Sequence, residues 1–304
     1  MDASQTTYSP EEIILSNLEE LSERRNRISE QEIAHLRELA VEIAAGFDDA
    51  ATFLASLSDH RLPHNAERKG QTGADEPFPT ELRVRLCAEL RKQLPTPPAM
   101  WQEFFFPVSE LPDPSAFHRV TYQRSRWTDA AFLRFSNVIN EARAFYAHNF
   151  RSVCEDVYNG ISEYCILPIE NETDGLLHSF HRLAETYDLK IAAVCAVNAG
   201  QESRGTRFAL LARQVYPLRR MRNAPLLFTF SATLSGAPDA DDLLRAARLC
   251  GLSPLRSETF PGENGVQNFR ADLSIGKGDL PSFLLYLSME VPHYHPIGLY
   301  PDLP

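Results

Sequence analysis

The sequence contains no apolar run approaching the roughly 20 residues needed to cross a bilayer, and its opening, Met1 to Pro10, lacks the basic-then-apolar order of a secretory leader. The expectation is a cytoplasmic protein with no membrane partner. A basic excess is also missing. Asp and Glu outnumber Lys and Arg by 41 to 30, for a formal charge of -11. Phosphate backbones repel such a chain, so no nucleic acid partner is expected. Cysteine is sparse and unpatterned: Cys87, Cys154, Cys165, Cys195 and Cys250 are scattered, odd in number and never spaced Cys-x-x-Cys. That excludes a disulfide framework and a zinc site, and leaves buried free thiols. With 304 residues, 43% of them hydrophobic, the chain can bury sizeable cores in more than one domain.

The first hundred residues read as helical. Ser9-Pro10-Glu11-Glu12 is a helix start, followed by Ile13, Ile14, Leu18 and Leu21 on one face. Ser29 and Glu32 form a capping-box pattern before Leu36, Leu39, Ile43 and Phe47. Arg61 to Pro79 has no periodicity and reads as a linker, and a further helix over Thr80 to Leu94 stops at Pro95 to Pro98. Trp101, Phe104, Phe105 and Phe106 form an aromatic cluster that anchors this stretch to a core.

From His118 short apolar runs alternate with helical stretches, the pattern of an α/β unit. Strands are expected at Arg119–Gln123, Ala142–Ala147, Tyr164–Pro168, Lys190–Val197 and Thr206–Ala212, with helices at Asp129–Phe135, Phe150–Asn159 and Leu176–Tyr187. The last stretch reads strand, helix, strand, strand, helix, strand from Leu226 to Leu299. That βαββαβ order is the ferredoxin-like plan.

One segment carries a specific signal. Pro168-Ile169-Glu170-Asn171, with Glu172-Thr173-Asp174-Gly175 after it, resembles the Pro-Ile-Glu-Asn signature of prephenate dehydratases. Gly205-Thr206-Arg207-Phe208 is similar to the family's Thr-Arg-Phe motif, and Val120-Thr121-Tyr122-Gln123 to its opening strand. The final region resembles the ACT regulatory module of these enzymes, with Gly236-Ala237-Pro238, Glu258-Thr259-Phe260-Pro261 and Ile297-Gly298-Leu299-Tyr300-Pro301 standing where the family has its effector and closing motifs.

The resemblance implies a helical region over 1–110, a single periplasmic-binding-protein-like α/β lobe over 111–222 and an ACT-like ferredoxin-like domain over 223–304, oligomeric through the last. It implies the reaction prephenate to phenylpyruvate, water and CO2, with no metal or organic cofactor. Thr206 would donate to the leaving hydroxyl, Glu170 and Asn171 would act beside it, and Arg207, Phe208 and Thr173 would bind a small carboxylate or aromatic substrate. Gly236, Ala237, Glu258 and Thr259 would form the effector site. Read from the residues alone, a strand feeding a helix at Glu170-Asn171, with Thr173 or Asp174 as cap, would expose backbone N–H groups suited to a carboxylate. The same residues equally suit a polar turn, with Phe208 in the core.

Two departures alter those implications. Phe260 replaces the effector-site arginine and Pro238 a leucine. The family inserts a second lobe of about a hundred residues where this chain has only residues 198–205. An active site with one wall cannot exclude water, and each missing oriented donor costs roughly 100-fold or more in rate. The expectation is therefore a divergent ligand-binding or regulatory protein with lost or weak catalysis. The alternative is an active dehydratase whose cleft is completed by the N-terminal helices or a second subunit. Those helices read as an interaction hairpin, with Arg24, Arg25 and Arg27 as carboxylate grips only if they formed a mutase-like unit. His178 and His181 share a helix face but have no third ligand placed by spacing.

Overall fold

Ten strands form one continuous mixed sheet in the order β2-β1-β3-β6-β5-β10-β7-β9-β8, with the short β4 paired to β3. In the computed structural model, residues 29–45, 79–94, 117–171, 175–198, 205–213, 224–262, 266–291 and 293–304 are described. The expected first helix, the linker, the aromatic cluster at Met100–Pro107 and Thr173 lie outside them. The elements are α1 over 29–45, α2 Thr80–Gln93, β1 His118–Gln123, α3 Arg126–Phe135, β2 Ala142–Ala147, α4 Phe150–Tyr158, β3 Tyr164–Asn171 and β4 Gly175–Leu176. There follow α5 His178–Thr186, β5 Lys190–Val197, β6 Thr206–Ala212, β7 Leu226–Leu234, α6 Ala240–Leu249, β8 Ser253–Pro261, β9 Gln267–Ser274, α7 Leu280–Glu290 and β10 His295–Leu303.

Local chemistry sets most of these boundaries. Ser125 and Thr128 close a reciprocal capping box at the start of α3, and Asp239 and Asp242 do the same for α6. Asn149 accepts from the Ser152 N–H to cap α4 at 2.9 Å, and Asp279, followed by Pro281 in the first turn, caps α7. The four strands β10-β7-β9-β8 are mutually antiparallel and carry α6 and α7, which is the ferredoxin-like arrangement.

β10 joins the two halves. It runs antiparallel to β7 and parallel to β5, so the ferredoxin-like unit and the α/β lobe share it. Gly298 makes the approach to β5 close enough: a Cβ there would lie 2.6 Å from the Ile191 carbonyl oxygen and 2.8 Å from the Tyr300 ring. On one face of the sheet, α3 covers Tyr122, Ile166, Phe208 and Leu210, while α6 and α7 cover Phe228, Phe230, Phe269 and Leu299. On the other face, α4 and α5 cover Cys165, Leu167, Leu211 and Tyr300.

All five cysteines are buried and unbridged. Burial pushes the thiols of Cys195 and Cys250 up to about 12, far from the thiolate that reactivity needs.

The described N-terminal helices do not roof the lobe. Leu36, Ala40, Leu86 and Leu90 join the core of α6 and α7, and Arg83 pairs with Glu290 at 2.7 Å. Among the described residues, this is the opposite side of the sheet from Glu170. Completion of the cleft by these helices, as the sequence allowed, is therefore corrected for α1 and α2. Their apolar faces find a larger partner surface on the ferredoxin-like helices.

At the start of β10, Lys190 Nζ lies 2.8 Å from His295 Nε2 and 2.8 Å from Asp188 Oδ1. Partial burial and the neighbouring Lys190 ammonium hold the imidazole pKa below its usual value, outweighing Asp188 and Glu185. A neutral His295 then accepts from Lys190. Because the unfolded chain takes up this proton first as pH falls below about 6.5, stability should decline with falling pH from there toward the lower folded value. His295→Gln should flatten that part of a melting-temperature profile. An unchanged slope would show that His295 does not cause it.

Candidate functional site

β3 and β6 bring two motif residues together. Glu170 and Arg207 are register partners across these antiparallel strands, after an irregularity at Pro168/Glu170. Neither charge faces open solvent alone. The Glu170 carboxylate accepts from Arg256 Nη2 of β8 at 3.2 Å on each oxygen, and Arg207 Nη2 donates to Asp302 Oδ2 of β10 at 3.1 Å. Both pairs are about a third exposed, so each contributes at most about 1 kcal/mol. Their larger consequence is geometric, since they tie the lobe's strands to the ferredoxin-like unit.

Alternation along β8 and β9 builds the other wall. Arg256 lies opposite Asp272, Glu258 opposite Arg270 and Phe260 opposite Asn268. Asp272 in turn accepts from Thr229 Oγ1 at 2.7 Å, leaving the Tyr300 hydroxyl to donate to that oxygen, also at 2.7 Å. Burial raises the Tyr300 pKa, which keeps this proton in place. The lobe helix α5 crosses above, where Glu185 accepts from Arg270 Nη2 at 2.5 Å. Between α5 and the β8/β9 surface lies a cavity of about 480 Å³ lined by His181, Arg182, Glu185, Glu258, Thr259, Phe260 and Arg270. Deeper in, Arg207, Arg256, Thr229 and Tyr300 surround a hollow of about 20 Å³, room for little more than one water.

The expected catalytic constellation is not assembled on one face. Thr206 pairs with Val197, a member of the α3-side core, whereas Arg207, its neighbour, opens into the opposite, α5-side hollow. Strand alternation therefore separates the Thr206 side chain from Glu170 by the thickness of the sheet. Phe208 is 2% exposed and belongs to the α3-side core, which corrects the expectation that it lines a cleft.

The segment after the motif is also corrected. β3 continues through Glu170 and Asn171, which pair with Leu176 and Gly175 of β4, so a hairpin, not a helix start, follows the motif. Helix α5 begins at His178, with Leu177 as N-cap and no side-chain cap bond, and the caps expected at Thr173 or Asp174 lie outside the described residues.

Of the effector-site expectations, Glu258 and Thr259 line the larger cavity. Gly236 and Ala237 do not. They occupy the turn between β7 and α6, where Gly236 takes a φ of +133° that side chains rarely adopt. The residues that sequence reasoning missed are Arg256, Arg270, Glu185, Asp272 and Asp302. The available signal was the run of charges at alternate positions on two strands, Arg256/Glu258 and Arg270/Asp272. On a ferredoxin-like sheet those belong to the face that α6 and α7 leave bare.

No protein-family model matches the chain, and no curated protein sequence matches it. Among solved structures it is similar to a prephenate dehydratase from Streptococcus mutans, with 17% identity, a TM-score of 0.50 and coverage of 62% of this chain and 100% of that one. It also matches a structure described as GqqA, a novel type of quorum quenching acylase, at 20% identity, TM-score 0.47 and coverage of 60% and 94%. A prephenate dehydratase from Arthrobacter aurescens in complex with L-Phe matches at 15% identity, TM-score 0.47 and coverage of 60% and 89%. The strand order, the shared motifs and the Streptococcus mutans match together give this chain a prephenate dehydratase-like fold.

Proposed function

We propose that this chain is a divergent prephenate dehydratase-like protein that binds a small ligand in a regulatory role near phenylalanine metabolism, with catalysis lost or weak. The observation that carries this reading is the β5–β6 hairpin. Residues 198–205 join antiparallel neighbours directly, at the point where the family inserts its second lobe. The Glu170 carboxylate is engaged by Arg256, and Thr206 lies on the other face of the sheet. A donor and an orienting carboxylate that cannot reach one substrate do not add their roughly 100-fold contributions.

On this reading the chain divides near 110 and 222, and its last part is an ACT-like module. Homo-oligomerisation through that module is consistent with the outer edge of β8, which pairs with no other described strand, and with Leu255 on it at 59% exposure. A cytoplasmic location fits the same role.

The full chain incubated with prephenate at neutral pH should form phenylpyruvate no faster than buffer does, as followed by absorbance of the enolate in alkali. Turnover at an enzyme-like rate, abolished by Thr206→Ala in a folded protein, would overturn the reading in favour of an active dehydratase completed by another subunit.

A further inference from the structure

At the margin of the sheet far from the ferredoxin-like unit, β2 pairs with β1 alone among the described strands, in parallel register over Ala142–Ala147. None of its residues is buried, and Phe145 and Tyr146 are 41% and 54% exposed. Edge strands are commonly blocked by Lys, Pro or a bulge. β2 has neither residue, and its register with β1 runs without a shift. Alternation turns Ala142 and Ala144 toward the α3-side core and puts Arg143 and Phe145 on the α4 side. There Arg143 is the register partner of Arg119, so two like charges stand directly opposite each other, an arrangement that repels. Aromatic rings flank the pair: Phe117 lies 4.0 Å from the Arg143 guanidinium and Phe145 lies 5.5 Å from that of Arg119. No carboxylate relieves the repulsion. Glu163 accepts from the Arg119 backbone N–H at 2.7 Å, Arg119 Nη1 donates to the Ile161 carbonyl at 3.2 Å, and neither guanidinium has an ion-pair partner among the described residues. In a chain of formal charge -11, this is a local reversal of sign.

We propose that the β2 edge and the Arg119/Arg143 pair form a docking surface for an extended acidic peptide segment of a partner protein, which joins the sheet as a further strand. Main-chain hydrogen bonds to the outward N–H and C=O groups of β2 supply affinity, and alternate side chains supply selection. A residue opposite Arg143 has its Cβ about 4.5–5.5 Å away, within reach of a carboxylate–guanidinium bond. The residue two positions along lies opposite Phe145. The favoured segment therefore carries an acidic residue two positions from an apolar one. On the other face Ala144 presents only a methyl group beside the Tyr146 ring, over which the Arg124 guanidinium stands at 4.9 Å, and this suits a second apolar side chain. Charge selects the occupant. A second copy pairing through β2 would set both arginines of each chain along one seam, with no carboxylate on either β2 strand to meet them. A nucleic acid strand would meet the arginines but leave the strand edge unpaired, against the negative charge of the whole chain. An acidic strand satisfies the edge and the arginines together.

The surface is independent of the ligand-binding reading above. The probe is an end-blocked, fluorescein-labelled peptide, Ser-Glu-Val-Phe-Val-Glu-Ser, whose glutamates and phenylalanine share one face and can meet Arg143 and Phe145 in either direction. Fluorescence anisotropy with the full chain should show saturable binding, with the glutamine counterpart of the peptide at least about tenfold weaker. Arg143→Gln and Phe145→Ala, at exposed positions, should each weaken binding about tenfold while leaving the melting temperature unchanged. Strand addition has a further signature, because an edge bonds only alternate residues of the strand it receives. Methylating the backbone nitrogens of the glutamates and phenylalanine, or instead those of the valines, should abolish binding in one analogue and spare the other. Absence of saturable binding, equal binding of the glutamine peptide, undiminished binding by both variants, or the same effect of the two methylation patterns would overturn the proposal. So would a dimer in sedimentation that Arg143→Gln or Phe145→Ala dissolves, which would assign the edge to a second copy, or tighter binding of a labelled oligouridylate, which would assign it to a nucleic acid strand.

Discussion

Arg83→Met is expected to destabilise the protein by about 3–5 kcal/mol. Arg83 on α2 and Glu290 on α7 pair at 2.7 Å with side chains only 2% and 1% exposed. Removing the guanidinium while keeping its shape leaves the Glu290 carboxylate inside the core of Leu86, Leu90 and Phe283 without its main counter-charge. The desolvation cost that the pair offsets is then uncompensated. The double variant Arg83→Met/Glu290→Leu should recover most of the loss, because a well-packed apolar pair replaces a buried ion pair at little net cost. Denaturant titration of the three variants measures both effects. A single-variant loss below about 1 kcal/mol would show that water reaches Glu290. A double variant no better than the single would show that the pair specifies how α2 docks.

Removal of residues 295–304 should abolish cooperative folding of the whole described sheet, not only of its C-terminal unit. β10 buries Ile297, Leu299, Tyr300 and Leu303. At roughly 1.5–3 kcal/mol for each large apolar side chain, these four rival the net stability of about 5–15 kcal/mol typical of a domain. The loss would also open the facing edges of β5 and β7, which β10 alone connects among the described strands. Solubility, circular dichroism and hydrogen exchange of the truncated chain test this. A protein that kept a folded α/β lobe with protected β3 and β6 amides would show that the lobe is autonomous. Gly298→Ala is the milder version, since its methyl group would be driven into the Ile191 backbone at a cost of about 1–3 kcal/mol.

The sequence showed most of the secondary structure because the local signals were strong. β2, β5 and β6 are read from their alternation and their flanking turns with the observed limits, Ala142–Ala147, Lys190–Val197 and Thr206–Ala212. In the structure Asp239 and Asp279 cap α6 and α7 by chemistry that requires no tertiary context, although neither was singled out as a cap from the sequence. The stretch after Glu170 was misread for an equally local reason. β4 is a two-residue strand, and its only signal is a pairing with β3 that no periodicity announces.

The candidate site was half legible. Arg207, Glu258 and Thr259 stand in motifs and line the junction, and Glu170 reaches it through Arg256. Arg256, Arg270 and Glu185 stand in none, because their pairings join residues 85 or 86 apart in the chain. Motif adjacency also misled. Thr206, Arg207 and Phe208 are consecutive, and a strand sends consecutive side chains to opposite faces, so of the three only Arg207 arrives at the small hollow beneath α5.

Apart from β4, the order of the described strands and helices, the ferredoxin-like plan and the shortness of the link from β5 to β6 were determined by the sequence itself, because each follows from short-range pattern or plain length. Tertiary structure alone decided that β10 would join two sheets into one and that α5 would cover the bare face of the ferredoxin-like strands. It also decided that α1 and α2 would bind α6 and α7, not the lobe. Each of these is a choice among exposed surfaces, settled by which remain uncovered once the chain has closed on itself.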